Sequence, residues 1–273
     1  MMLLQAGQLG LTRRDSIWTD ALPPDMVAGC TLWADGTDTS TLLDSTGGSP
    51  VTTDGAPVLI ALNKINPLNC FRGSASDVKP QLKIPAVNGK SALAFINNTA
   101  VTTTTSDGGS EVAASALLTT TIKLIVVAVR VNVVPSDNGS YNNAMILGMR
   151  GWFGLHYYST GASTCAAVGI NYDQNGPQEA TVAFAKGAWV ILTMSQQSNQ
   201  LRVRVNGGAW ATTASLATRD MSAPMLLCEQ SISGGSHDIE LAHIATFNTA
   251  QTDAAISAVE RWIANDLGIT PWW

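Results

Sequence analysis

Charge is scarce in this sequence. Of 273 residues, 15 are Lys or Arg and 20 are Asp or Glu, so 13% are charged, where an ordinary soluble domain carries about a quarter. With a net charge of −5, the chain has no basic stripe able to neutralise a row of phosphates, which excludes nucleic acid as a partner. A surface so poor in charge instead fits a protein whose outside is partly covered by other chains. Cysteine is also sparse: Cys30, Cys70, Cys165 and Cys228 are scattered, with no C-x-x-C pair and no histidine cluster beside them. That excludes a zinc module and leaves free buried thiols as the expected state, one disulfide being the alternative. The three histidines, His156, His237 and His243, have neither metal-ligand spacing nor a Gly-x-Ser-x-Gly nucleophile context, so neither a zinc site nor a triad is expected. KLIVVAVRVNVV, among the longest apolar runs, is too short and too charged to cross a bilayer as a helix, so no membrane partner is expected. The first eighteen residues have no basic residue ahead of their apolar stretch, which Gln5, Gly7, Gln8 and Gly10 interrupt. They make a poor signal peptide, so synthesis in a cytosol is expected. No repeat of fixed period is visible, which counts against a solenoid or propeller.

What is present is a succession of short β-like stretches separated by turn residues. GCTLWADG, VLIALNKI, SALAFINN, KLIVVAVRVNVV, AMILGMRGWFGLHYY, AAVGINYD, WVILTMSQ, LRVRVNGGAWA, PMLLCEQS and DIELAHIATF each read as a strand or hairpin. With no long helix between them, they predict an all-β antiparallel sandwich, and the chain length suits one such domain. In LRVRVNGGAW, Leu201, Val203 and Val205 face one way and Arg202 and Arg204 the other, with Asn206-Gly207-Gly208 supplying a tight turn. KLIVVAVRVNVV is apolar on both faces, as a covered central strand should be. The polar stretch Thr99 to Thr105, with SDGGSE after it, is placed in an exposed loop or edge.

The chain ends differently. Ile256, Val259, Ile263 and Leu267 fall on one helical stripe flanked by Trp262, Thr249 or Thr252 can cap its start, and Gly268 stands where a terminating glycine belongs. Residues 1–27 read as an arm preceding a domain of residues 28–273, with a break at Pro23-Pro24. Leu9, Leu11, Ile17 and Trp18 are its candidate assembly contacts. Trp272 and Trp273 are added to that set, because two adjacent terminal aromatics cannot both enter one core.

Four segments carry a family resemblance. MVAGCTLWADGTDTSTL, VNGKSALAFINNTAVTT, TIKLIVVAVRV and GSHDIELAHIATFNTAQTDAAISAVERWIANDLGI are similar, in that order, to segments of the concanavalin A-like lectin/glucanase superfamily, in particular its laminin-G-like domains in phage and bacterial proteins. The last is the most specific, since strand, Phe-Asn link, helix and Leu-Gly-Ile occur together. The resemblance covers about residues 28–270 and implies a two-sheet jelly roll with the helix as terminal cap.

Glucanases of that superfamily set a carboxylate pair on one strand face, about 5 Å apart in retaining glycosidases. Asp238-Ile-Glu240-Leu-Ala-His243 approaches that motif with its order reversed and a histidine in the third place, so the expectation is a solvent-facing carboxylate pair and no enzyme activity. Carbohydrate binding needs exposed rings with polar neighbours. Trp152, Tyr157, Tyr158 and Trp210 are the candidates, with Tyr141 nearby, while Trp33, Trp189 and Trp262 read as core. Asp35 and Asp38, beside Asp44, are the candidate ligands for a Ca²⁺ ion, the one cofactor considered. No regular twelve-residue ligand spacing supports it, and Asx turns are the competing reading. The resulting expectation is a non-enzymatic structural or decoration protein of a phage virion, partnered by other virion proteins or copies of itself and by surface glycans. A free lectin is the alternative, and a glycosidase is weaker still.

Overall fold

The computed structural model describes residues 21–45, 48–67, 70–72, 79–96, 110–112, 122–133, 144–149, 153–173, 176–197, 199–214, 226–227 and 238–270. Within them lie the strands β1 (Cys30–Asp35), β2 (Leu42–Leu43), β3 (Ile60–Leu62), β4 (Cys70–Arg72), β5 (Gln81–Val87), β6 (Lys90–Ile96), β7 (Ser110–Val112), β8 (Leu124–Val133), β9 (Ala144–Met149), β10 (Phe153–Ser159), β11 (Thr164–Asp173), β12 (Gly176–Ala185), β13 (Trp189–Gln197), β14 (Gln200–Val205), β15 (Ala211–Ala214), β16 (Leu226–Leu227) and β17 (Asp238–Phe247), followed by helix α1 (Asp253–Leu267).

The strands form two antiparallel sheets. One runs β15-β14-β13-β8-β17-β6-β5, with β1 also paired to β17, and the other runs β12-β11-β10-β9-β16-β7-β4-β3-β2. This is the all-β sandwich with a C-terminal helix that the sequence predicts. Strand β8 sits centrally, between β13 and β17, and its two apolar faces have separate destinations. Val127, Val129 and Val131 enter the core between the sheets, while Leu124, Val126 and Ala128 enter a second core beneath α1. Strand β17 divides likewise, with Ile239, Leu241 and Ile244 inward and Ala242, Ala245 and Phe247 under the helix. A strand buried on both faces reads as a continuous apolar run, which is why these two were legible.

Helix α1 is held as its sequence dictates. Thr252 Oγ1 accepts from the Ala255 N–H at 3.2 Å, and Gly268 ends the helix at φ +61°, where glycine is favoured over any residue carrying a Cβ. Ile256, Val259, Ile263 and Leu267 are fully buried. The hairpin of β14 and β15 turns at Asn206 and Gly207, both at positive φ. Ahead of β1, the Leu22 N–H donates to the Ala258 carbonyl at 3.1 Å and Val27 joins the core beneath the helix, so residues 22–27 lie against the helix-bearing side. Cys30 and Cys165 are free thiols. Burial pushes the Cys30 thiol up to about 12 and the Cys165 thiol to about 11, so both are unreactive. Cys228 and the Thr99–Thr105 stretch lie outside the described residues.

Five strands, β2, β4, β5, β7 and β12, lie outside the stretches expected to be strands; β7 takes in Ser110 and Glu111 of the SDGGSE segment expected in a loop or edge, and it is paired on both sides, by β16 and β4. Two of the five also run against local propensity. β5 contains Pro85, a residue that cannot donate to a ladder. β12, GPQEATVAFA, is made mostly of Ala, Gly, Gln and Glu, which individually disfavour strands. Pairing partners decide both: β5 lies against β6 and β12 against β11.

Candidate functional site

The outer face of the helix-bearing sheet concentrates the described polar and ionisable side chains. α1 covers part of it, and the face is polar at three places, two of which contact the helix.

Near the helix midpoint, Arg204 of β14 closes on Glu260 of α1, with Nη2 to Oε2 at 2.6 Å and Nε to Oε1 at 2.9 Å. Thr193 of β13 donates to the same Oε1 at 2.5 Å and Arg204 Nη2 reaches Ser257 Oγ at 3.1 Å. Burial raises the Glu260 carboxyl above its ordinary value, with the Arg204 charge as the main opposing influence. Two turns earlier, Arg202 donates to Asp253 at 2.9 Å. Both guanidinium groups lie 4.2 Å from the ring centre of Trp210, a cation–π arrangement that occupies that ring.

Toward the helix C-terminus stands a linked chain of charges. His243 of β17 is fully buried between two carboxylates, with Nε2 3.0 Å from Asp266 Oδ2 and Nδ1 3.4 Å from Asp35 Oδ1. Lys90 reaches Asp266 at 2.6 Å, and Lys64 bridges Asp35 at 3.0 Å and Asp38 at 3.1 Å. Burial acts to raise Asp266, but its hydrogen bonds to His243 and Lys90 prevail and hold it down at about 2. Ionised and acceptor-only, it requires His243 Nε2 to carry the proton. Trp262 meets His243 and Trp33 edge to face, at 5.5 and 5.2 Å. Asn88, in the turn between β5 and β6, donates through Nδ2 to the carbonyls of Leu267 and Gly268 at 2.6 and 3.1 Å.

Farther along β17, Arg130 of β8 donates through Nη2 to both oxygens of Glu240 at 2.6 Å. Asn132 Nδ2 reaches Glu240 at 3.1 Å and Asp238 at 3.3 Å. Burial raises the Asp238 carboxyl, its hydrogen bond from Asn132 only partly offsetting this.

These contacts revise several expectations. Asp238 and Glu240 do share a face, but Glu240 is 5% exposed and neutralised by Arg130, so the pair is not solvent-facing. Asp35 and Asp38 do converge, and the cation between them is the Lys64 ammonium. Asp38 also makes an Asx turn, accepting from the Ser40 N–H at 3.1 Å, and among the described residues no group of three or more His, Cys, Asp or Glu could hold a metal ion. Tyr157, offered as a sugar platform, is fully buried in the inter-sheet core. Its strand parity puts it inward while neighbouring Tyr158 is half-exposed. Trp210 is half-buried against the helix core. The structure therefore does not unite the four candidate rings, and Trp152, like Leu9, Leu11, Ile17, Trp18, Trp272, Trp273 and Tyr141, lies outside the described residues. Trp33 is buried and Trp189 and Trp262 pack on the helix core, as expected. The polar floor was missed. Its signal was present in the two arginines alternating along β14 and in Glu260, four residues after Ile256 on the buried stripe.

No protein-family model matches the chain, and no curated protein matches it. Among solved structures, the binding domain of botulinum neurotoxin DC in complex with SialylT is 13% identical, with a TM-score of 0.43 over 85% of this chain and 51% of that one. The binding domain of Paraclostridial Mosquitocidal Protein 1 is 10% identical, with a TM-score of 0.42 over 68% and 50%. A Trypanosoma rangeli sialidase is 11% identical, with a TM-score of 0.43 over 88% and 33%. The chain thus spans about half or less of the length of these solved chains.

Proposed function

We propose that this chain is a non-enzymatic structural or decoration protein of a phage virion, a lectin-like jelly roll that attaches through its N-terminal segment and presents a glycan- or host-surface-binding face. The observation that carries the non-enzymatic part is the state of the buried carboxylates. Glu240 is paired with Arg130, Glu260 with Arg204, Asp35 with Lys64 and Asp266 with Lys90 and His243. A retaining glycosidase needs a free nucleophile and a separately tuned acid facing one open cleft. Paired as they are, these groups fasten elements together.

The virion setting draws on the scarcity of charge, on the apolar residues ahead of Leu22, and on the resemblance of the sequence to laminin-G-like domains of phage proteins. It places the protein in the particle after synthesis in the host cytoplasm. A free carbohydrate-binding lectin is the second reading, favoured by the half-exposed Tyr158 ring on the outer face of β10. Light scattering on the full chain and on a form lacking residues 1–21, which keeps Leu22 and the core residue Val27, together with co-sedimentation with purified particles, separates the two. Particle binding by the full chain and its loss on truncation supports the virion protein. Glycan-array binding by both forms, with no particle binding by either, replaces it with the lectin, and turnover of a bound glycan overturns the non-enzymatic reading.

A further inference from the structure

Five strands end the two sheets among the described residues: β15, β5 and β1 in the helix-bearing sheet, β12 and β2 in the other. An open strand edge presents unpaired N–H and C=O groups, and proteins blunt such edges by shortening, interrupting or charging them. Four of the five follow that rule or are covered. The outer side of β1 is taken by the Ala34–Asn63 bridge and by the Lys64 N–H, which donates to the Trp33 carbonyl at 2.8 Å. β15 has four residues and β2 has two. β5 contains Pro85, loses register between Lys83 and Val87, and carries Lys83.

β12 does not follow it. Its ten residues pair with β11 in unbroken register, from Thr164 opposite Ala185 to Asp173 opposite Gly176. It has no Lys or Arg, its single charge is Glu179, and Pro177 stands at its very start, where it interrupts nothing. Thr181, Ala183 and Ala185 are exposed, and among the described residues no second strand pairs with it.

We propose that β12 is a self-pairing edge, through which two copies of this chain join their larger sheets by antiparallel β12-to-β12 pairing about a two-fold axis perpendicular to the sheet. The sequence of the strand fits a second copy. Such an axis keeps the faces of the two sheets aligned, so residues of equal parity meet. With Thr181 at the axis, Glu179 falls opposite Ala183 of the other copy, and the only charges on the two strands do not meet head on, where they would repel. The inward residues Ala180, Val182 and Phe184, which pack on the inter-sheet core, continue in one row across the junction. A chain with so few charges has few other means of keeping a long edge apart.

The test uses the full chain. Light scattering is run on the wild type and on Thr181→Lys, whose ammonium would face its own copy across the axis but stands on the exposed face of a single chain. Amide hydrogen exchange over residues 176–185 is followed at high and low protein concentration. The expected result is a wild-type dimer, a Thr181→Lys mass reduced to half with an unchanged circular-dichroism spectrum, and protection of β12 that rises with concentration. Removal of residues 1–21, which keeps Leu22 and Val27 in place against the helix-bearing side, leaves this dimer intact, which separates it from assembly through the N-terminal segment. A wild-type monomer at high concentration overturns the proposal. So does an oligomer that Thr181→Lys leaves whole while β12 exchange stays independent of concentration, the result expected if another surface, or a strand from a different protein, is the natural partner. Should Thr181→Lys fail to fold, wild-type exchange decides alone: concentration-dependent protection supports the pairing and its absence refutes it.

Discussion

Arg204 on β14 and Glu260 at the middle of α1 meet beneath the helix, with Nη2 and Oε2 2.6 Å apart and both side chains almost wholly withdrawn from water. Removing one partner strands a buried charge, a change that costs about 3–5 kcal/mol, whereas replacing both by apolar groups of similar volume is often neutral or better. Arg204→Met is therefore expected to be strongly destabilising, and Arg204→Met combined with Glu260→Leu to recover most of the loss. Urea unfolding of the single and double variants measures this. A single variant as stable as the wild type would mean that the pair does not fasten the helix.

Asp266 gives the same fastening a pH dependence. Its carboxyl is held at about 2 in the folded protein, below the value of about 3.9 for an unfolded aspartate. The folded pKa is depressed, so its contribution to stability is present above about 4 and is lost as pH falls toward 2. Helix docking is expected to weaken across that window, and Asp266→Asn to flatten the dependence there while lowering stability at neutral pH. Thermal unfolding against pH, followed by circular dichroism for both forms, checks it.

How much of this was legible in the sequence depended on whether a residue's neighbours are local. β8, β17, the β14–β15 hairpin and α1 carry their own periodicity and caps, so the sandwich and its terminal helix could be read directly. β5 and β12 could not, because Pro85 and the Ala-Gln-Glu composition of β12 argue against strands until β6 and β11 are in place beside them. The same limit applied to the site. Asp35 and Asp38 do share a loop as expected, but the Lys64 that neutralises them lies 29 and 26 residues away. Tyr157 and Tyr158 were indistinguishable as candidate rings until strand parity sent one inward.

The C-terminal cap of α1 is a junction of two loops, and this sets its sensitivity. Gly268 sits at φ +61°, and a Cβ built there lies 2.8 Å from Asn88 Nδ2, the group that satisfies the last helix carbonyls. Gly268→Ala thus combines left-handed strain of about 1 kcal/mol with displacement of the Asn88 cap. It is expected to cost more than Thr252→Ala at the other end, where one cap hydrogen bond worth about 1 kcal/mol is lost. Comparing the melting temperatures of the two variants checks this order.

Trp210 and Tyr158 were read as the same kind of residue, and their surroundings assign them different consequences. Trp210 packs on the helix core with two guanidinium groups at its ring, so Trp210→Ala removes buried apolar area together with cation–π contacts worth about 0.5–2 kcal/mol each. It is expected to lower the melting temperature whether or not the protein binds a glycan. Tyr158 is half-exposed near the end of β10, so Tyr158→Ala is expected to leave the melting temperature nearly unchanged. If this ring is a sugar platform, the substitution weakens binding to any glycan recognised on an array, because stacking of the ring on the sugar is lost while the fold persists. A variant that melts early identifies Tyr158 as structural, and one that is stable and still binds the same glycans moves the binding face elsewhere on the molecule.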